Sequence, residues 1–318
     1  MIFSNSSDVL YVITTLPSSV IILGAKGRFG RAAQKAFLDA GWDVTAFGRN
    51  WTSPAQKGAK QISGDAFDAD VLTAACTGMD VIVHALNPPY PAWSKAMPVL
   101  TANVITAASQ CGATVMIPGN VYNFGEAMPA VLSESTAHAP TTRKGRLREQ
   151  MEKAFAASNV QTIVLRAGDF IDAEQSGNWF DGNIANKVSK GSIMYPGPTD
   201  QPHAWAYLPD AANAMVGLAE IRSSLPKFDT FGFEGYTLTG NQLIEAVEEA
   251  AARPLKRSGM PWFMIPFLGL FSPTIKEIYE MRHLWNLPHS VDATKLRAAL
   301  PSMKTTSLED CLKEVLVL

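Results

Sequence analysis

The stretch "VIILGAKGRFGRA", Val20 to Ala32, decides how the rest of the chain is read. Four bulky apolar residues run into Gly24, Gly27 and Gly30, and the glycines run into a helical pattern. Glycine is needed where a turn is tight and where backbone must approach a ligand without a Cβ in the way. A helix starting there directs free N–H groups and the positive end of its dipole at whatever lies in front of the turn. A strand, a glycine turn and a helix at this spacing predict a cradle for the pyrophosphate of a dinucleotide.

Outward from that turn, from residue 19 to about 166, short apolar runs alternate with amphipathic stretches. The runs are "SVIILG", "DVTAF", "KQIS", "DVIVHAL", "ATVMIP" and "VQTIVLR", and they read as strands of a buried parallel sheet. Between them, "RFGRAAQKAFLDAG" and "AMPVLTANVITAASQCG" read as helices stopped by the left-handed glycines Gly41 and Gly112. The expected fold class is α/β, a Rossmann-type doubly wound parallel sheet with a small C-terminal substrate lobe.

Beyond residue 166 the alternation loosens. Loop-rich text, "GDFIDAEQSGNWFDGN" and "YPGPTDQPHAW", is interleaved with helices expected near 209–222 and 240–252. Asp210 reads as the N-cap of the first, and Thr239 with Gln242 as a capping box for the second. The expected organisation is a dinucleotide-binding core over 19–166, an interleaved lobe and helical tail over 167–318, and an N-terminal extension, 1–18.

The chain has 318 residues, 47% of them hydrophobic and 18% charged, with a formal net charge of -2. That balance gives no bulk electrostatic case for nucleic acid or an anionic membrane as partner. The basic run "TRKGRLR" at 142–148 is followed at helical spacing by Glu149 and Glu152 and reads as a solvated helix face. Cys76, Cys111 and Cys311 are odd in number and far apart, which fits a reducing cytoplasm. No CxxC or HxxxH spacing suggests a metal. Residues 1–18 contain no Lys or Arg, so no secretory start is expected. The apolar "MPWFMIPFLGLFSP" at 260–273 is too short and too Pro-interrupted to span a bilayer.

The choice of dinucleotide rests on the end of the second strand. A carboxylate about twenty residues past the glycines would clasp the adenosine ribose hydroxyls. This chain has "TAFGRN" there, with Arg49 and no acid. A guanidinium suits an extra 2′-phosphate, and Lys26, Arg28 and Phe29 belong to the same turn. NADP(H) is favoured and NAD(H) stays possible; the alternative for Arg49 is a side chain turned to water. Asp65, just after the third strand, is placed to accept from the adenine amino group. Ala85, Leu86 and Asn87, after the fourth, are expected near the cofactor ribose; plain strand-end turns are the alternative for both stretches.

Taken together, these landmarks resemble the short-chain dehydrogenase/reductase superfamily in its extended, NAD-dependent epimerase/dehydratase-like form. The resemblance runs through the glycine turn, Asp65, "VYNFG", "LRAGDF", "AYLPDAANA" and a late "VDATKLRAALP". It implies catalysis by a tyrosine, a lysine four residues later and a nearby serine or threonine. A tyrosine can exchange a proton near neutral pH only if neighbouring positive charge lowers its ordinary value of about 10. This chain departs from that pattern. Its seven tyrosines are followed at the fourth position by Thr15, Ser94, Glu126, Thr199, Ala211, Gly240 and His283, never by lysine.

The substitutes are Tyr122 in "GNVYNFG" as acid or base, Lys144 or Arg146 as ribose clamp, and Asn120 as an uncharged donor. Packing residues and a solvated helix face are the alternatives. Asp169 and Phe170, with Trp179 and Asn183 beyond, are the expected substrate side, together with the apolar segment near 260–271. Arg166 pairs either with a substrate or with an internal carboxylate. The leading reading is an NADP(H)-dependent oxidoreductase or epimerase-like enzyme acting on a small carbonyl or sugar-like substrate. The rival is a non-catalytic NADP(H)-sensing regulator. A homodimer is compatible with either.

Overall fold

The computed structural model describes residues 18–172, 174 and 177–316. Of the N-terminal extension read over 1–18, all but Ser18 lie outside the described residues. The first half alternates as expected: β1 (Ser19–Leu23), α1 (Arg28–Asp39), β2 (Asp43–Gly48), β3 (Lys60–Ser63), α2 (Ala69–Cys76), β4 (Val81–His84), α3 (Trp93–Cys111) and β5 (Thr114–Gly119). A short strand β6 (Val131–Leu132) precedes α4 (Arg143–Ala157) and β7 (Thr162–Arg166). The second half adds β8 (Asp169–Ile171), β9 (Ser192–Tyr195), β10 (Pro202–Tyr207), α5 (Leu208–Glu220), β11 (Phe228–Gly232), β12 (Tyr236–Thr239), α6 (Gly240–Ala250) and β13 (Lys256–Gly259). It closes with α7 (Ile265–Leu268), α8 (Pro273–Glu280), β14 (Ser290–Val291), α9 (Thr294–Ala299) and α10 (Leu308–Val315).

Seven strands form one parallel sheet in the order β11-β7-β5-β4-β1-β2-β3. Six of them are the six apolar runs. The seventh, β11, comes from the second half of the chain and pairs only with β7, as an edge strand whose Asp229 is bound by Lys295. Val20, Ile21, Ile22 and Leu23 are fully buried, because apolar layers cover both faces of β1. One layer packs α1 and α5 against the sheet, and the other packs α2, α3 and α4. Burial of each such side chain contributes about 1.5–3 kcal/mol. Strand order reverses between β1 and β4, which opens a crevice at their carboxyl ends.

The lobe has its own core around Trp205 and Trp285 and a three-stranded sheet, β12-β10-β8. The capping box at Thr239 and Gln242 forms as expected, and Gly112 closes α3 at φ +73°. Asp210 corrects its expectation. Tyr207 is the N-cap of α5, and the Asp210 carboxylate instead accepts from Thr306 N at 2.6 Å and Thr306 Oγ1 at 2.9 Å. The strand runs directly into the helix through Pro209, so Asp210 falls inside the first turn and ties down the tail. Among the described residues, no helix is long and apolar enough to cross a membrane.

Candidate functional site

A cleft of about 670 Å³ occupies that crevice and continues into the lobe. It runs from the glycine turn, past the ends of β2 and β3 on one side and β4 and β5 on the other, to β8 and His203.

Gly24 has φ +78°, and a Cβ there would stand 2.5 Å from the Ala85 carbonyl oxygen. Both the conformation and the contact with the end of β4 therefore require glycine. Gly30 is not on the cleft wall; a Cβ at this position would meet Gly24 O at 2.3 Å, so its role is to let α1 close on the turn. Gly27, the N-cap of α1, makes no side-chain cap, so a ligand in front of the turn meets the positive end of the helix directly. This cradle fits a diphosphate. Arg28 and Phe29 line it, and Phe29 packs on Phe170 with ring centroids 6.0 Å apart. Lys26 lines the cleft while its Nζ donates to the carbonyls of Arg49 and Asn50, the latter at 3.0 Å. It fastens the turn to a loop in which Asn50 adopts φ +47°.

Arg49 and Asp65 line the end of the cleft beyond β2 and β3. Arg49 Nη1 lies 3.4 Å from Asp65 Oδ2, and its guanidinium sits over the Phe67 ring. Asp65 Oδ1 accepts from Phe67 N at 3.1 Å, which fixes the carboxylate at the mouth. Ala85, Leu86 and Asn87 form the wall after β4.

At the inner end, the Tyr122 hydroxyl lies 3.1 Å from that of Tyr90. Burial pushes both phenols above their ordinary value, Tyr122 the further, with added repulsion from Tyr90 and Asp169. A phenol so placed is a neutral hydrogen-bond donor. Asn120 lines the cleft and accepts from Tyr122 N through Oδ1 at 3.1 Å.

The basic run on α4 is not a uniformly solvated face. Lys144 is fully buried, away from the cleft, where it pairs with Glu277 and Glu280 of α8, donates to Glu277 O at 2.8 Å and lies over the Tyr90 ring. It is not brought to the expected ribose position. Arg146 is exposed and donates to Thr141 O at 2.9 Å. The cation that does reach the cleft is Arg148, which sequence reasoning passed over. It donates to Pro118 O at 2.6 Å, its buried Nε has no partner, and burial pulls the guanidinium below its ordinary value. Thr142 caps α4 by accepting from Gly145 N, and residues 144, 148 and 152 share the inward face. Glu152 on this face meets Arg166 at 2.7 Å, so Arg166 holds an internal carboxylate.

At the lobe end of the cleft, where the substrate side is expected, Asp169, Phe170 and Trp179 line the wall, whereas Asn183 does not. His203, absent from the sequence-based set, joins them through a 2.8 Å bond from its Nε2 to Asp169 Oδ2. Parallel pairing of β8 with β10 sets Asp169 opposite Trp205, two residues beyond His203. The segment near 260–271 contributes Trp262, which packs on Trp179, but turns Phe263, Phe267, Leu270 and Phe271 outward.

Residues 24–193 match the family model described as NAD(P)H-binding. The chain is 25% identical over 269 residues to dTDP-6-deoxy-L-talose 4-dehydrogenase (NAD(P)(+)) of Kitasatospora kifunensis, covering 78% of this chain and 83% of that protein. Among solved structures, a Burkholderia cenocepacia J2315 protein described as a candidate epimerase superposes with a TM-score of 0.77 at 20% identity, over 94% of this chain and 96% of that one. UDP-glucose 4-epimerase from Bifidobacterium longum, solved with NAD+ and UDP, gives 0.72 at 16% identity, over 94% and 97%. At these identities the structural likeness shows a common fold.

Proposed function

The chain belongs to the NAD(P)H-binding family, and from that membership we propose an NADP(H)-dependent oxidoreductase or epimerase-like enzyme acting on a carbonyl or sugar-like substrate. The observation that carries this reading is the continuity of one cleft from the glycine cradle to a polar inner end with Tyr122, Asn120, Arg148 and Asp169 on its walls.

The nicotinamide, when bound, supplies a hydride donor or acceptor. This chain's residues do the rest. The turn at Gly24 and Gly27 binds the diphosphate, and Arg49 leaves Asp65 to take the 2′-phosphate. Arg148 adds positive charge at the inner end. Tyr122 donates a hydrogen bond to the reacting oxygen, in a site where water exclusion strengthens such a bond. Phe170 and Trp179 offer apolar surface to the substrate ring. Similarity to a dehydrogenase of a dTDP-6-deoxy sugar supports a sugar-like substrate.

A second reading, a non-catalytic NADP(H) sensor, draws on the absent Tyr-x-x-x-Lys pair and on the raised Tyr122 phenol. Titration with NADPH and NADH followed by fluorescence, then absorbance assays on a panel of carbonyls and nucleotide sugars, separates the two. Binding with turnover supports the enzyme. Tight binding with no turnover across the panel supports the sensor, and no binding of either dinucleotide removes both.

A further inference from the structure

The geometry points to Asp169 as the proton-transferring group of this cleft and to His203 as its positioning residue. The proposal deepens the oxidoreductase reading and rests on it. It addresses a specific gap: no tyrosine of the chain is followed by a lysine at the fourth position, and Lys144 is engaged elsewhere.

Asp169 opens β8 at the inner end of the cleft, with about a quarter of its side chain exposed, while His203 behind it is almost fully buried. His203 Nε2 takes Oδ2 at 2.8 Å, and no other hydrogen bond among the described residues uses this carboxylate. Oδ1 is the oxygen left for a ligand. The imidazole is held in place. It stacks face to face on Trp285 with centroids 4.3 Å apart, meets Trp205 at 5.0 Å, and is edged by His289 at 4.5 Å. A catalytic carboxylate needs this kind of rigid support.

The groups facing the pair are mostly uncharged. His289 donates through Nδ1 to Leu287 O at 2.9 Å, and burial lowers its pKa to about 4, so it stays neutral. Tyr90, Tyr122 and Tyr195 all feel the Asp169 charge, which helps to keep them protonated. The cations lining the same cleft are Lys26, Arg28, Arg31, Arg49 and Arg148.

The step balances with the dinucleotide alone. In oxidation, the substrate O–H bond breaks and its proton passes to Asp169 Oδ1. The C–H pair leaves as hydride to the oxidised dinucleotide, and the C–O bond closes to C=O. The substrate loses the two electrons that the dinucleotide gains. In reduction the carboxylic acid returns its proton to the carbonyl oxygen as hydride arrives.

The test begins without a substrate, on full-length protein labelled with 15N-histidine; the chain has only five histidines. His203 is assigned by the signal lost in His203→Gln. Its Nε2 resonance at neutral pH is expected to move in Asp169→Asn, which removes the carboxylate bonded to that nitrogen, and to differ between the NADP+ and NADPH complexes. An unchanged Nε2 resonance in Asp169→Asn, or the same resonance in both complexes when fluorescence shows both dinucleotides bound, overturns the pair alone. Absence of dinucleotide binding overturns the oxidoreductase reading and the pair with it. On any panel alcohol turned over, Asp169→Asn is expected to lower kcat about 100-fold with NADPH affinity within about twofold, and Asp169→Glu to restore part. His203→Gln is expected to shift the acidic limb of kcat, which a merely structural role would leave in place. Full turnover by Asp169→Asn overturns the proposal.

Discussion

Arg49 and Asp65 face each other at 3.4 Å at the end of the cleft beyond β2 and β3, both substantially exposed. A solvated pair at that distance contributes about 0–1 kcal/mol, so a phosphate competes easily for the guanidinium. Hydrogen bonds to charged groups are worth about 1.5–3 kcal/mol, or roughly 10- to 100-fold in affinity. Arg49→Ala is expected to weaken NADPH by that factor and to leave NADH nearly unchanged. Fluorescence titration with both dinucleotides reads the difference, and equal losses would remove the preference for NADP(H).

Lys144 joins α4 to α8 through Glu277 and Glu280 with no exposure of its own. Removing Lys144 leaves Glu277 and Glu280 with Arg143 alone, at a cost below the ~3–5 kcal/mol of a fully uncompensated buried charge. Lys144→Met is expected to lower Tm clearly in calorimetry while NADPH affinity holds. A variant with wild-type Tm and lost affinity would return Lys144 to the ribose-clamp role.

The sheet was legible because its central strands are buried on both faces and punctuated by glycine, as β1 and the Gly24 turn illustrate. β11 was not, since "FDTFG" is an edge strand with a charged residue in second place and little periodicity to detect. Which basic residue of α4 reaches the cleft depends on the face that the helix turns inward, and that is set by its packing against α8 and β5. Spacing alone offered a signal there: Arg148 lies four residues from both Lys144 and Glu152, on the face that turns inward. Asp169 and His203 are 34 apart in sequence and meet only through the pairing of β8 with β10. No local pattern announces such a contact.

Acid should destabilise this fold from mildly acidic pH downward. Burial lowers the pKa of His84 to about 3 and of His289 to about 4, and shifts His138 and His283 in the same direction. Between those values and the ordinary 6.5, the unfolded chain binds more protons than the folded one. Stability from these groups is therefore complete above pH 6.5 and is lost as pH falls, at up to about 1.4 kcal/mol per pH unit for each. Tm measured at pH 7, 6 and 5 is expected to fall progressively. His289→Leu should flatten the slope, and a Tm independent of pH over that range would contradict the neutral, buried state of these rings.

Tyr122 is predicted to act without ionising. Burial, Tyr90 and Asp169 all raise its pKa, whereas the tyrosine of the resembled family needs the opposite shift. Five of the six described tyrosines, Tyr90, Tyr122, Tyr195, Tyr207 and Tyr236, move upward together. At pH 10, where an ordinary phenol is half ionised, absorbance at 295 nm should report far less phenolate than the native chain's seven tyrosines would give unfolded. Tyr122→Phe should leave that reading unchanged and slow turnover by loss of a neutral donor, with the limbs of the pH profile in place. If Tyr122→Phe instead abolished an alkaline limb, Tyr122 would be the titrating base, and the division of labour between a neutral phenol and the Asp169 carboxylate would have to be reversed.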